Sequence, residues 1–304
     1  MRRSPPTQRV TTVLDTLAAQ PGRSFTLAEL VERTGISKAT CLGILNELCH
    51  AGYLVREAAT YALGPALLAA GASAQRGYPS LPHARPHMTH LADELGAACT
   101  ASAVVGGDVV VLARAGDPGV APAVRPGQRF PFVPPSGVMF VGWRDDATVD
   151  DWLSATPLAP DAPSAATLRE VVDACRRHGY LAEELGEFNL GLYSRLAGLL
   201  DELPGRYAQV VGEMMTTMTQ QSYIHYVTGD PDPARTYALS HVCAPVYDAD
   251  ARMELLLAAF VMRNDVGGDE LDRLGATVRD AAARVTADIG GHDPWMADLP
   301  PRDS

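Results

Sequence analysis

The chain has 304 residues, of which 47% are hydrophobic and 20% charged, and this composition excludes an intrinsically disordered protein and indicates a globular one. The length predicts two domains rather than one. The longest apolar run is LLLAAFVM at 255–262, far short of the roughly 20 residues that a membrane-spanning helix needs.

The five cysteines are widely spaced and contain no CxxC pair, so we interpret them as small core residues in a reducing cytoplasm. Arg2 and Arg3 resemble the start of a signal peptide, but polar residues and prolines follow where its apolar core has to begin. The expectation is therefore a cytoplasmic protein without an export signal. Both ends, 1–8 and 292–304, are rich in Pro and charge and are expected to be disordered.

The charge is divided unevenly along the chain. Residues 1–75 hold seven basic and five acidic residues, a net charge of +2, whereas the remainder holds 18 basic and 31 acidic residues, a net charge of −13. Only the N-terminal part can lie on a phosphate backbone without strong repulsion. Because it is only mildly basic, tight binding to DNA requires two such heads or substantial readout of bases and DNA shape.

The predicted elements begin with a helix from about Arg9 to Gln20, which Pro21-Gly22 ends. Thr26 is the expected N-cap of a second helix because Glu29 stands three residues later, the capping-box pattern. The buried stripe of the second helix is predicted at Leu27, Leu30 and Val31, and the turn after it at Gly35.

Ser37 is the expected cap of a third helix, which Ala51-Gly52 ends. Its apolar residues recur at helical spacing and predict a buried stripe of Cys41, Ile44, Leu45 and Leu48. The outward face is then Lys38, Ala39, Leu42, Gly43 and Asn46. A hairpin follows at about 53–64. This order predicts a winged helix-turn-helix whose third helix enters a DNA major groove.

The rest of the chain alternates blocks of strands and helices. A helix from Pro65 to Ala74 and three prolines at 79–86 indicate a linker. Further helices are predicted at 86–97, 148–154, 164–178 and 268–289, a strand pair at 100–116, a Pro/Gly-rich crossing at 116–137 and a hairpin turning at Ala249-Asp250. Such blocks favour an antiparallel sheet with helices packed on it.

The chain resembles the IclR-type bacterial transcriptional regulators over most of its length. The similarity rests on LAELVERTGISKAT, GYL and YALGPALLAAG, RPGQRFPF, RRHGYLAEELGEFNLG and CAPVYDADARMELLLAAFV, in the order that the family has them. The resemblance implies a two-domain α+β protein. A winged helix-turn-helix occupies 1–64, and a linker helix and hinge occupy 65–86. The effector-binding and oligomerisation domain, a GAF-like antiparallel sheet with flanking helices, occupies 87–291. A flexible tail follows at 292–304.

The resemblance also implies the function. A homodimer or a tetramer is expected, and because a two-fold dimer presents two recognition helices, its operator is expected to be a pseudo-palindrome. By resemblance, repression is more usual than activation, and the ligand is often a small organic acid or aromatic metabolite. The double-stranded operator and an effector are therefore the expected partners, and no cofactor, membrane or catalytic activity is expected.

Two sets of site residues follow from the helix pattern and the resemblance. The set predicted to contact DNA is Arg9, Thr26, Ser37, Lys38, Ala39, Thr40, Leu42, Gly43, Asn46 and Arg56. The set predicted to contact the effector is Phe132, Pro135, Ser136, Gly137, Met139, Glu184, Glu187, Met214, Met218 and Cys243.

The sequence departs from the family at three places. Leu42 and Gly43 stand where a polar and a basic residue are common, so either Leu42 contacts a thymine methyl and Gly43 permits close backbone approach, or DNA specificity is weakened or altered. The effector loop reads VPPSGVMF. About 45 residues at 190–235 form an insertion, predicted as two helices broken at Pro204-Gly205.

Some residues admit more than one interpretation. The methionines at 214, 215 and 218 are a pliable lid, dimer packing or core. The carboxylates Glu183, Glu184 and Glu187 have a helix-like spacing. Either they form a solvated helix face, or one of them orients a polar group of the ligand, and burial distinguishes the two interpretations. The histidines at 83, 87 and 90 have the spacing of a helical metal face that Pro86 interrupts, so no metal site is predicted.

Two other function classes remain as alternatives for the C-terminal part: a small enzyme or metabolite carrier, or a dimerisation and partner-binding module without a ligand. Lys38 is the only lysine in the chain. This excludes a P-loop and, in the C-terminal part, lysine Schiff-base chemistry. GxGxxG, HExxH and GxSxG are also absent.

Overall fold

The computed structural model describes residues 4–295 apart from 19, 21, 118, 122–123, 136, 156–157, 159–162, 186–191, 193–194, 197–210 and 212–224. These residues form two compact units, one that ends at Gly77 and one that begins at Tyr78. Within the described ranges no helix is both long enough and apolar enough to cross a membrane.

The N-terminal unit is a winged helix-turn-helix, as predicted. Its helices are α1 (Pro5–Ala18), α2 (Leu27–Thr34), α3 (Lys38–His50) and α4 (Ala66–Gly77). Its strands are β1 (Phe25–Thr26), β2 (Leu54–Glu57) and β3 (Thr60–Leu63), which form an antiparallel sheet with β3 in the middle. The hairpin of β2 and β3 is the predicted wing.

The predicted helix caps of this unit are confirmed. The backbone N–H of Glu29 donates to Thr26 Oγ1 at 3.3 Å, and the backbone N–H of Thr26 donates to Glu29 Oε2 at 2.8 Å. Gly35 ends α2 with a φ of 67°, a left-handed conformation that glycine adopts without strain. The core beneath these helices consists of Val13, Leu17, Phe25, Leu30, Ile36, Cys41, Leu45, Leu48, Leu54 and Tyr61.

The predicted start of α1 at Arg9 is wrong, since the helix begins four residues earlier at Pro5. Proline in the first turn of a helix has a suitable fixed φ and loses no hydrogen bond there. The carbonyl of Ser4 accepts from the N–H of Gln8 at 2.9 Å, which closes the first turn. The Pro-rich segment therefore starts a helix instead of a disordered end.

The C-terminal unit is built on a seven-stranded antiparallel sheet in the order β6-β5-β4-β10-β9-β7-β8. The strands are β4 (Ala98–Val105), β5 (Asp108–Ala115), β6 (Arg129–Pro131), β7 (Leu181–Glu184), β8 (His225–Tyr226), β9 (Thr236–Tyr247) and β10 (Met253–Gly267). The helices are α5 (Leu81–Leu95), α6 (Val138–Val141), α7 (Asp146–Ser154), α8 (Ala165–His178) and the last helix, α9 (Gly268–Asp288).

Helices cover both faces of this sheet, and the predicted α+β architecture is confirmed. One apolar cluster joins α5 and α9 to one face, and includes Met88, Leu91, Val242 and Leu257. A second cluster joins α6, α7 and α8 to the opposite face, and includes Trp152, Leu168, Cys175 and Cys243. We call this second side the α6–α8 face.

Helix α5 starts at Leu81 and continues through Pro86, whereas the pattern predicts a start at residue 86. Pro82 lies in the first turn, where it is tolerated. Pro86 removes one helical hydrogen bond, at a cost of about 3 kcal/mol. The burial of Met88 and Leu91 against the sheet offsets that cost, so the helix forms because of tertiary packing.

Several elements were not predicted from the pattern. They are the short strands β1, β6, β7 and β8 and the one-turn helix α6. The interpretation of Glu183 and Glu184 as part of a solvated helical face is wrong, because both lie in β7 and are buried. Most of the 190–235 insertion, with the break at Pro204-Gly205, lies outside the described residues.

Candidate DNA-binding face and ligand site

The outward face of α3 lies open on the N-terminal unit. Lys38, Ala39, Leu42, Gly43 and Asn46 are all exposed, while the apolar stripe on the other side of the helix packs into the core. Leu42 keeps 36% of its surface accessible. An exposed helix face with an apolar centre and flanking polar groups is suited to base edges and thymine methyl groups.

The start of α3 borders a polar cleft of about 420 Å³. Its walls bring together three residues from the predicted DNA set, Arg9 of α1 and Ser37 and Thr40 of α3. The hydroxyl of Ser37 caps α3 by accepting from the N–H of Thr40 at 3.4 Å. A guanidinium beside a helix N-terminus is the combination that favours a phosphate group.

The remaining two residues of the predicted DNA set are used within the fold. The hydroxyl of Thr26 is engaged with Glu29 in the capping box, which argues against a direct hydroxyl contact with DNA. Arg56 lies on β2 of the wing, where its guanidinium carbon is 5.5 Å from the centre of the Tyr61 ring. The Arg56 side chain is exposed, so this stacking presents its charge at the wing surface.

In the C-terminal unit, one cross-strand row on the α6–α8 face contains two buried titratable side chains, Glu183 and His241. Strand pairing aligns Tyr226 of β8 with Glu183 of β7, Glu183 with His241 of β9, and His241 with Phe260 of β10. Because paired residues in antiparallel strands point to the same side, the four side chains lie next to one another. We call these residues the polar row.

Burial controls the protonation of the polar row. It raises the pKa of Glu183 to about 8 and lowers the pKa of His241 to about 4. Glu183 Oε2 lies 3.7 Å from His241 Nε2, too far for a hydrogen bond. Near neutral pH the row therefore holds a protonated carboxyl group next to a neutral imidazole.

The segment that precedes α6 lies at the edge of the same face. Phe132 and Met139 pack at the edge of the α6–α8 cluster, where the Phe132 and Trp152 ring centroids are 6.1 Å apart. Gly137 has a φ of 101°, and a Cβ added to it would lie 2.7 Å from the Phe132 ring. Only glycine fits this position. The absence of a side chain at Gly137 lets the Phe132 ring pack directly against the segment.

Residues 6–58 match the family model of the IclR helix-turn-helix domain. The N-terminal unit is an IclR-type helix-turn-helix domain. A Pca regulon regulatory protein from Pseudomonas putida is 29% identical over 92 residues, which are 30% of this chain and 32% of that protein. The chain thus matches only about a third of that relative's length.

The fold of the chain is similar to that of IclR proteins of known structure. An IclR transcriptional regulator from Alicyclobacillus acidocaldarius superimposes with a TM-score of 0.66 at 22% identity, covering 95% of this chain and all 100% of that one. An IclR homologue from Microbacterium hydrocarbonoxydans, solved as a complex with 4-hydroxybenzoate, gives a TM-score of 0.62 at 18% identity, with 93% and 98% of the two chains covered.

The structure places the predicted effector residues in three groups. Phe132, Gly137, Met139 and Cys243 lie in or beside the α6–α8 cluster, and Pro135 adjoins them on the chain. Glu184 instead pairs with Arg235 at 2.7 Å and accepts from the N–H of Ala238 at 3.2 Å. The other four, Ser136, Glu187, Met214 and Met218, lie outside the described residues, so their roles stay predictions.

Sequence reasoning missed His241, Tyr226 and Phe260 and did not select Glu183 for the effector set. His241 stands two residues before Cys243, which was in that set, and in a strand residues two apart share a face. A strand assignment for residues 236–247 with explicit alternation would have found it. Tyr226 and Phe260 join the row only through strand register, which the sequence does not specify.

The histidines at 83, 87 and 90 now share one continuous helix, contrary to the expected interruption at Pro86. His87 Nε2 lies 2.7 Å from Asp288 Oδ2, and His90 Nε2 lies 3.7 Å from Glu94 Oε2. Within the described part of the chain, no group of three His, Cys, Asp or Glu side chains is placed to hold a metal ion.

We expect Gly43→Ala to stabilise the IclR-type domain by about 1 kcal/mol, the ordinary gain for this change in an exposed helix interior. A Cβ added at Gly43 meets no atom within 4 Å, so nothing opposes the gain. Far-UV circular dichroism during chemical denaturation measures it, with Ala39→Gly on the same face as the reverse change. A less stable Gly43→Ala variant would contradict the open position of Gly43.

Proposed function

We propose that this protein is a ligand-responsive transcriptional regulator, acting as a repressor, that binds a pseudo-palindromic operator as a dimer. The observation that carries the proposal is the open outward face of α3 within a domain of the IclR type. In a helix-turn-helix, this is the helix that reads base edges in the major groove. The wing arginine Arg56 and the cleft at Arg9 then contact the phosphate backbone.

Two features support a dimer. The head, residues 1–75, has a net charge of only +2, which gives one head little electrostatic affinity for DNA. Among the described residues nothing buries any residue of helix α4, and Leu68 on it is 77% exposed. An apolar helix that no described element covers is suited to the equivalent helix of a second copy. Such pairing also sets the spacing of two recognition helices.

The proposed effector site is the α6–α8 face of the C-terminal unit. Support comes from its buried polar row, from the aromatic residues that border it and from the relative that was solved with 4-hydroxybenzoate. A small aromatic molecule matches the apolar and aromatic character of this lining. The effector changes DNA affinity only by as much as it prefers one arrangement of the two heads over another. The site is proposed to bind, with no catalytic role.

An electrophoretic mobility shift with the DNA upstream of the protein's own gene tests the proposal. We expect binding at moderate salt that is at least 1,000-fold tighter than binding to random DNA of equal length, the lower end for specific regulators, and that weakens as salt increases. Equal affinity for the two DNAs would exclude the proposed function. The random DNA of matched length and composition serves as the control within each gel.

A further inference from the structure

The Glu183 and His241 side chains are buried with few hydrogen-bond partners in the fold. Both side chains are more than nine-tenths buried, with 6% and 8% of their surfaces accessible. The Glu183 carboxyl makes no hydrogen bond to any described residue, and the imidazole reaches only Ser240 Oγ, at 3.3 Å from Nδ1. Buried polar groups in proteins are nearly always hydrogen-bonded, so these two indicate a site for a ligand.

No cation of the described chain faces this pair. The only lysine, Lys38, belongs to the head. Three arginines near the sheet are engaged elsewhere: Arg235 with Glu184, Arg176 with Asp146, and Arg114 with backbone carbonyls of the loop after β5. The pKa of Glu183 is raised by burial alone, with no guanidinium opposing the rise.

The lining therefore disfavours a carboxylate ligand. A carboxylate placed here would lose its hydration, gain no positive partner and lie beside another carboxyl group. A protonated amine would meet the opposite conditions. Glu183 would accept its N–H as a carboxylate, and His241 Nε2 would accept another when Nδ1–H donates to Ser240.

The aromatic members of the polar row add to this preference. Phe260 stacks on His241 with ring centroids 4.8 Å apart, and Tyr226 is the cross-strand neighbour of Glu183 on the other side. The faces of aromatic rings attract cations, most strongly where water is excluded. Acid, neutral imidazole and aromatic rings in one row form the lining of a site for an organic cation.

We propose that Glu183 and His241 are the specificity-determining pair of the ligand site, and that they select an arylalkylamine, with its protonated nitrogen between the two side chains, over the corresponding carboxylic acid. The inference rests on the proposed function in placing the ligand on the α6–α8 face. The relative bound to 4-hydroxybenzoate supplies a precedent for the aromatic ring alone. The charged end of the ligand is inferred from the lining of this chain.

Binding of the amine is coupled to loss of a proton. In the free site Glu183 is protonated at pH 7, because burial raises its pKa to about 8. The ammonium ion brings its own proton, so Glu183 releases about one proton to solvent as the ion pair forms. The neighbours that face Glu183 do not contribute: His241 has a lowered pKa, and burial raises the pKa values of Tyr226, Cys243 and Cys175.

Isothermal titration calorimetry on the full chain tests the proposal with three matched pairs: benzylamine and benzoate, 4-hydroxybenzylamine and 4-hydroxybenzoate, and tryptamine and indole-3-acetate. We expect an amine of at least one pair to bind at least about tenfold more tightly than its acid, the scale of one charge-assisted hydrogen bond. Titrations in buffers of different ionisation enthalpy should show release of about one proton at pH 7.

Glu183→Gln keeps the shape of the protonated side chain but cannot ionise. We expect it to lower amine affinity at least about tenfold and to abolish proton release. Glu170→Gln, which removes an exposed carboxylate from α8, is the matched control and should retain both. Melting curves of the three proteins establish that each is folded.

Two results overturn the proposal: no amine in the three pairs binds more tightly than its acid, or Glu183→Gln retains the amine affinity and the proton release. Neither result bears on DNA binding, which the mobility-shift experiment measures without ligand. Failure of operator binding with intact amine selectivity would instead remove the proposed regulatory function and leave the ligand site in place.

Discussion

Gly275→Ala is expected to destabilise the C-terminal unit by about 2 kcal/mol, although the same change in an exposed helix stabilises by about 1 kcal/mol. Gly275 lies in α9 where the helix crosses the ring of Tyr180. A Cβ added there would lie 2.3 Å from the Tyr180 Cζ atom, and the ring is fixed because it is buried and its hydroxyl donates to Asp272 Oδ1 at 3.0 Å. Either the helix or the ring has to move.

Tryptophan fluorescence during chemical denaturation measures this change selectively, because all three tryptophans of the chain, at 143, 152 and 295, lie in the C-terminal unit. A double-mutant cycle with Tyr180→Ala identifies the cause. Once the ring is removed, Gly275→Ala should no longer destabilise and should recover the usual gain of about 1 kcal/mol. An equal loss in both backgrounds would show that the ring is not responsible.

Lys38→Glu is expected to weaken operator binding by on the order of 10- to 100-fold at physiological salt. Lys38 is the first residue of α3 and lies on its exposed face. The substitution brings the net charge of residues 1–75 from +2 to zero and adds repulsion at the groove. The slope of log affinity against log salt should become less steep by about 1 per head.

Arg76→Glu provides the matched control for Lys38→Glu. It changes the charge by the same amount on the exposed surface of α4, outside the recognition helix. We expect it to alter operator affinity several-fold less. If the two variants lost affinity equally, net charge and not the position of Lys38 on α3 would determine binding, and the assigned recognition face would be wrong.

Most of the N-terminal unit could be predicted from the sequence. Its turns and helix ends are determined locally: Thr26 and Glu29 close a capping box, Gly35 adopts a left-handed conformation, and Ser37 caps α3. The spacing of the apolar residues of α3 also gave its exposed face correctly. These features depend on neighbours within a few residues of each other, so a single sequence contains them.

The candidate ligand site was predicted only in part. Residues beside one another on the chain, such as Phe132 and Gly137, were found because a segment carries them together. The polar row was not, because its members come from four strands and meet only through strand register. Glu183 and Glu184 illustrate the difference, since a helical spacing suggested a solvated face, whereas strand pairing buries both and gives them separate partners.

The sequence by itself determined the class of the head, the face of α3 and the division of charge between the two parts of the chain. The tertiary structure alone decided whether Gly275→Ala is expected to stabilise or destabilise the protein, that α5 continues through Pro86, and that the pKa of Glu183 is raised. Each of these depends on atoms that are distant in sequence: the Tyr180 ring over Gly275, the sheet beneath α5, and the strands that exclude water from Glu183. Burial and steric contact arise only when those atoms meet.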